Sequence, residues 1–63
     1  MTAREVVAAL KADGWLLVRT KGSHTQNRHP SKPGLVTVPM HPDDLPIGTL
    51  KSIEKQADVK LRR

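Results

Sequence analysis

The chain has 63 residues, a net charge of +5 and no cysteine, which excludes a large core, disulfide bonds and thiolate metal sites. It contains no apolar run of about 18 residues that could span a membrane. Its N-terminus alternates charged and apolar residues, unlike a signal peptide. These features predict one domain over residues 1–63 that works in the cytoplasm.

The positive charge is concentrated in the middle of the chain. No acidic residue lies between Asp13 and Asp43, although four cations and all three histidines fall in this span: Arg19, Lys21, Arg28, Lys32, His24, His29 and His41. A segment of one charge sign produces a positive potential that favours phosphate groups. The simpler alternative is a solvated basic loop without a ligand.

The N-terminal residues predict a helix over about residues 3–13. Thr2 and Glu5 have the spacing of a capping box at its start. Gly14 stands where a left-handed C-terminal cap belongs. Apolar side chains recur between them at helical intervals, at Val6, Val7 and Leu10.

Three short segments after Gly14 predict an antiparallel sheet. Residues 15–20 are mostly apolar and end in a tight turn at Lys21-Gly22. Residues 23–29 contain no apolar side chain. They are interpreted as a strand only because a turn precedes them and a Pro- and Gly-rich loop follows. Residues 35–38 form the third strand, which we place at a sheet edge because Pro39 ends it.

A second helix is predicted with Pro46 in its first turn and an apolar stripe at Ile47, Leu50, Ile53 and Ala57. Arg62 and Arg63 are expected to form a frayed tail. Short connections between these elements predict an α+β two-layer sandwich of order α-β-β-β-α, with a three-stranded antiparallel sheet and both helices on one face. The core candidates are Leu10, Trp15, Leu17, Val36, Val38, Leu50 and Ile53.

The histidines do not have the spacing of a metal site. His24 and His29 are five residues apart, which places them on opposite faces of one strand. His41 and its neighbouring aspartates supply too few ligands for a closed site. We therefore expect neither a metal nor a cofactor. Trp15, the only aromatic residue, is assigned to the core, which argues against RNA binding by base stacking.

His24 has a setting suited to RNA cleavage, because it lies beside the predicted turn in the acid-free span. An imidazole acts as a general acid or base near neutral pH. RNA carries its own nucleophile, the 2′-hydroxyl, and cations balance the charge of the phosphorane. On this chemistry alone, an inert surface histidine remains the alternative.

Several motifs follow one another along the chain: Gly14-Trp15, Val18-Arg19, Gly22-Ser23-His24, His29-Pro30, Val36-Thr37-Val38-Pro39, His41 and Gly48-Thr49-Leu50-Lys51-Ser52-Ile53. In this order they resemble the HicA-type toxins of bacterial toxin–antitoxin pairs, also called the YcfA-like family. The resemblance covers nearly the whole chain.

The resemblance implies a double-stranded-RNA-binding-domain-like fold and an endoribonuclease that cleaves mRNA and arrests translation. It singles out His24, in the Gly-Ser-His motif, as the catalytic residue. It also implies a HicB-type antitoxin as the protein partner. We expect no specific DNA binding by the chain itself, except through this antitoxin. Residues expected to contact RNA are Arg19, Lys21, Gly22, Ser23, Arg28, Lys32 and Lys51.

One segment departs from the family pattern. Thr25-Gln26-Asn27 stands where the family commonly has further histidine or apolar residues and an aromatic residue at the position of Asn27. The second strand is therefore expected to lack an inward apolar anchor. Two further points stay open from the sequence. The chain could be a non-catalytic RNA-binding module that blocks translation by occupancy. The group opposite His24 in catalysis could be His29, His41, Lys21 or water.

Overall fold

The computed structural model describes residues 1–61; Arg62 and Arg63, for which a frayed tail is expected, lie outside the described residues. Its elements are α1 (Ala3–Asp13), β1 (Leu16–Lys21), β2 (His24–Arg28), β3 (Val36–Pro39) and α2 (Ile47–Ala57). The strands form one antiparallel sheet in the order β1-β2-β3. The predicted α+β fold is confirmed, including the edge position of β3.

Local sequence signals account for both ends of α1. The Thr2 side chain accepts a hydrogen bond from the Glu5 N–H (3.2 Å), and the Glu5 carboxylate accepts one from the Thr2 N–H (2.8 Å), so the capping box is confirmed. Gly14 has φ +108°, and a Cβ there would lie 2.8 Å from Nε2 of His29. Glycine is therefore required both by the backbone conformation and by the close approach of the ring.

The hairpin between β1 and β2 differs from the predicted one by a single residue. Its turn is Gly22-Ser23 rather than Lys21-Gly22, because Lys21 pairs with His24. Gly22 has φ +58°, and Ser23 has no positive φ, which is the pattern of a type II′ turn with glycine at its first central position.

A β-bulge interrupts β1 at Val18. Leu17 pairs with Asn27 and Arg19 pairs with Gln26, so Val18 has no partner of its own. Strict alternation would put Leu17 and Arg19 on the same face of the sheet. The extra residue instead places them on opposite faces.

Both helices pack mainly against β3, and the core lies between them and the sheet. Six of the seven predicted core residues are buried: Leu10, Trp15, Val36, Val38, Leu50 and Ile53. The prediction for Leu17 is wrong, since its side chain is 51% exposed. It faces the helix side of the sheet, but the helices do not extend over β1, where every residue is exposed. Ile47, predicted in the apolar stripe, is also exposed, whereas the loop residue Leu45 is buried.

Strand β2 has polar side chains at its inward positions. Thr25 and Asn27 are both buried. The Thr25 hydroxyl donates to the carbonyl of Val38 (3.4 Å), and Nδ2 of Asn27 donates to the carbonyl of Val36 (3.2 Å). The expected absence of an inward apolar anchor is confirmed. Hydrogen bonds to β3 replace apolar contacts at these positions and offset the free-energy cost of burying the two polar side chains.

Candidate nucleic-acid interface

His24 lies on the face of the sheet opposite the helices, hereafter the open face. Thr25 and Asn27 point toward the helices, so His24, Gln26 and Arg28 alternate with them and point the other way. His24 is exposed and stands directly across from Lys21 on β1 and Pro39 on β3. It occupies the first position of β2, next to the hairpin turn.

Strand β1 adds two cations to the same face. Residues directly paired across antiparallel strands share a face, and Lys21 pairs with His24 while Arg19 pairs with Gln26. The structure therefore brings Arg19, Lys21 and Arg28 together with His24. Strands β1 to β3 contain no acidic residue, so the open face has a positive potential suited to phosphates.

The turn residues border the histidine. Gly22 and Ser23 are exposed and directly precede His24. The carbonyl of Ser23 accepts a hydrogen bond from the N–H of Met40 at 2.6 Å, which ties the turn to the chain just after β3. This contact holds the end of the hairpin in place beside the open face.

Lys32, predicted to bind RNA, instead joins the ends of the two helices. Its Nζ donates to Oδ2 of Asp13 (2.6 Å) and to the carbonyls of Ala57 (3.2 Å) and Asp58 (2.9 Å). The hydrogen bond from Lys32 is the main cause that lowers the pKa of the Asp13 carboxyl from its usual value. The ammonium of Lys32 thus contributes to the scaffold, away from the open face.

Lys51 is not brought to the open face either. It is an exposed residue of α2, which packs on the helix side of the sheet. Of the residues expected from the sequence to contact RNA, the structure thus places Arg19, Lys21 and Arg28 on the same sheet face as His24 and Gly22 and Ser23 in the adjoining turn. It separates Lys32 and Lys51 from them.

His29 has a structural environment. Its Nδ1 accepts hydrogen bonds from the N–H groups of Ser31 (3.0 Å) and Lys32 (3.1 Å), so the ring proton resides on Nε2, which lies 2.8 Å from the carbonyl oxygen of Asp13. The ring packs edge-on against Trp15 with centroids 5.3 Å apart. With both nitrogens bonded to the backbone, His29 cannot exchange a proton with a substrate on the open face. This role depends on the loop conformation, and no spacing in the sequence indicates it.

Residues 1–61 contain neither a cluster of metal ligands nor a membrane-spanning helix. No group of three or more His, Cys, Asp or Glu side chains in this range lies close enough together to hold a metal ion. Within the same range, neither helix has the length and apolar character needed to cross a membrane.

The fold and the open face define a class of protein: a small α+β domain that presents an exposed histidine among cations on an acid-free sheet face. A family model described as the HicA toxin of bacterial toxin–antitoxin matches residues 3–59. The chain therefore belongs to the HicA toxin family of bacterial toxin–antitoxin systems. A search of curated proteins found no significant match.

Proposed function

We propose that this protein is the toxin of a type II toxin–antitoxin system and acts in the cytoplasm as a metal-independent endoribonuclease that cleaves mRNA and so arrests translation. The observation that carries the proposal is the position of His24, exposed on a sheet face where Lys21 stands directly across from it and no acid is present. Membership of the HicA toxin family supports it.

His24 acts as the general base in this scheme. Its imidazole takes the proton of a ribose 2′-hydroxyl, whose oxygen then forms a bond to the adjacent phosphorus. The bond from phosphorus to the 5′ oxygen breaks, and that oxygen gains a proton. The products are a 2′,3′-cyclic phosphate and a 5′-hydroxyl. DNA lacks the nucleophile and is not a substrate.

The cations of the open face stabilise the charge that develops on the phosphorane. Lys21 is the nearest by register, since it is the cross-strand partner of His24. The proton for the leaving oxygen comes from Lys21, His41 or water; the hydrogen bonds of His29 remove it from these candidates.

Cleavage of a defined RNA by purified variants tests the role of His24. We expect His24→Gln to lower kcat by about 10²- to 10⁴-fold, the usual contribution of a general base. A single 2′-deoxy substitution at the cleaved nucleotide should block cleavage there. The matched control is Lys55→Gln, an exposed cation of α2, which should retain full activity.

Two results would contradict the scheme. If His24→Gln keeps full activity and His41→Gln loses activity, the general base is His41 and not His24. Cleavage that stops in EDTA would require a metal. If the wild-type protein binds the RNA and inhibits translation but leaves the RNA intact, the protein is a non-catalytic RNA-binding module.

We further propose that a HicB-type antitoxin covers β1. Leu16, Leu17 and Val18 are exposed in succession on this edge strand, and an unpaired apolar edge is typical of a protein-binding surface. A partner bound there would also shield the adjacent Arg19 and Lys21.

We expect Leu17→Lys to weaken the toxin–antitoxin complex by about tenfold or more, measured by calorimetry. Ile47→Lys, at an exposed apolar residue of α2, is the control; equal effects of the two variants would contradict this placement.

A further inference from the structure

The cations of the open face form a row rather than a cluster. Lys21 and His24 form the cross-strand pair next to the turn, Arg19 and Gln26 form the next pair on this face, and Leu16 and Arg28 form the last. Each pair therefore contributes one cation. The row starts at the catalytic histidine of the proposed function and runs along the hairpin away from the turn.

The spacing of this row matches a nucleic-acid backbone. Residues two apart on a strand are separated by about 6.8 Å, which is comparable with the distance between successive phosphates of an extended single strand. Arg19 is two residues from Lys21 on β1, and Arg28 is two residues from Gln26 on β2. The bulge at Val18 lies between the second pair and the third, and it keeps Leu17 off this face.

The side chains of the row favour phosphate over base recognition. The open-face positions of β3 are Thr37 and Pro39, which carry no charge, so the cations occupy only the two strands of the hairpin. The single Trp of the chain is buried and the chain has no Phe or Tyr, so no large aromatic side chain is available here for base stacking. Contacts to phosphates position a strand without selecting its sequence.

We propose that the open face binds one RNA strand along the β1–β2 hairpin as an ordered ladder. The cleaved phosphate lies at Lys21 and His24, the next phosphate on one side at Arg19, and the one after it at Arg28. This inference rests on the proposed function for the position of the cleaved bond. It assigns Arg19 and Arg28 to two successive phosphates on the same side of that bond.

The first test fixes the register chemically. In a DNA oligonucleotide with a single ribonucleotide, cleavage can occur only after the ribose. Neutral methylphosphonates then replace each neighbouring phosphate in turn, and kcat/KM is measured for wild type, Arg19→Gln and Arg28→Gln. We expect a loss of up to about fivefold for each neutral position on the ladder, the size of an exposed ion pair. Arg19→Gln should abolish the effect of the adjacent position only, and Arg28→Gln that of the second position only.

The outcomes separate the ladder from alternatives. Coupling of both arginines to the same phosphate, coupling on opposite sides of the cleaved bond, or no coupling at all would overturn the ladder while leaving cleavage by His24 intact. Lys55→Gln, on α2, serves as the control. Coupling of Lys55 to these phosphates would equally overturn the assignment.

The second test does not depend on cleavage. Binding of a 2′-O-methyl oligonucleotide, which lacks the nucleophile, is measured by fluorescence anisotropy at several salt concentrations. Three phosphate contacts predict a slope of log K against log salt of about −2, and loss of one contact reduces it by about 0.7. Arg19→Gln and Arg28→Gln should each show this reduction, and Lys55→Gln should not. If the arginine variants show the reduced salt slope but the wild-type protein does not cleave RNA, the phosphate ladder is supported and the proposed function is disproved. If the slopes of both arginine variants are unchanged, the ladder is overturned.

Discussion

Strands β1 and β2 lie side by side, yet the apolar side chains of β1 are exposed and two polar side chains of β2 are buried. β1 includes Leu16, Leu17 and Val18, which are 57%, 51% and 54% exposed. β2 has no apolar residue, and its Thr25 and Asn27 are only 4% and 2% exposed. The more apolar strand is thus the one left in solvent.

The difference shows that position relative to the helices, rather than hydropathy, decides burial in this sheet. β2 is the central strand and β3 carries both helices, so the inward side chains of β2 are enclosed whatever their type. Their hydrogen bonds to the carbonyls of β3 compensate for lost hydration. The helices do not cover β1, so its apolar side chains remain exposed and available to the partner that we propose.

The largest effect on stability is expected at Trp15, where the chain passes from the buried core to the exposed strand β1. Trp15 is buried and its neighbour Leu16 is exposed. Trp15→Ala should lower the free energy of unfolding by about 3–5 kcal/mol, or prevent folding of so small a domain. Leu16→Ala should change it by only about 0.5 kcal/mol. Urea denaturation followed by circular dichroism measures both, and equal losses would contradict the burial pattern.

A smaller effect is expected from the polar residues of β2. Asn27→Ala removes the donor that satisfies the Val36 carbonyl and should cost about 1–3 kcal/mol of unfolding free energy. The matched variant is Gln26→Ala, at the neighbouring position on the open face, for which we expect little change in the same denaturation experiment. If the two variants are equally stable, the hydrogen bonds of Asn27 do not hold β2 to β3.

The Asp13–Lys32 ion pair joins the C-terminal ends of the two helices. Because Lys32 lowers the pKa of Asp13 in the folded state, the pair stabilises the fold above the usual pKa of the carboxyl, and this stabilisation is lost as pH falls through the lowered value. Asp13→Asn should therefore reduce the difference in melting temperature between neutral and acidic pH. The comparison variant is Asp43→Asn, at an exposed aspartate of the loop before α2. If Asp13→Asn leaves the pH dependence unchanged, as Asp43→Asn should, the acid sensitivity belongs to other carboxyls.

The smallest effect on stability is expected on the helix side of β1. Leu17→Thr keeps a residue with high strand propensity and removes an apolar side chain that is half exposed. We expect the free energy of unfolding to stay within about 0.5 kcal/mol of wild type. A loss of several kcal/mol by thermal or urea denaturation would mean that β1 contributes to the core after all.

Much of the fold could be predicted because its signals are local. The capping box at Thr2, the C-cap at Gly14 and the glycine turn at Gly22 each act over a few residues. The burial of Leu10, Val36 and Ile53 followed from apolar spacing. The candidate site was predicted in part: His24 and its three nearby cations came from charge pattern and motif, and the structure groups them on one face.

The sequence by itself determined the order of elements, the positions of the helices, the hairpin turn to within one residue, and the acid-free span around His24. Only the tertiary structure decided which face each side chain occupies: the bulge at Val18 sets the facing of β1, and the helices leave Leu17 uncovered. It also assigned Lys32 and His29 to the scaffold through contacts with distant backbone groups. The physical reason is range, since capping and turn formation involve neighbours in the chain, whereas facing, burial and these hydrogen bonds depend on segments that meet only when the chain folds.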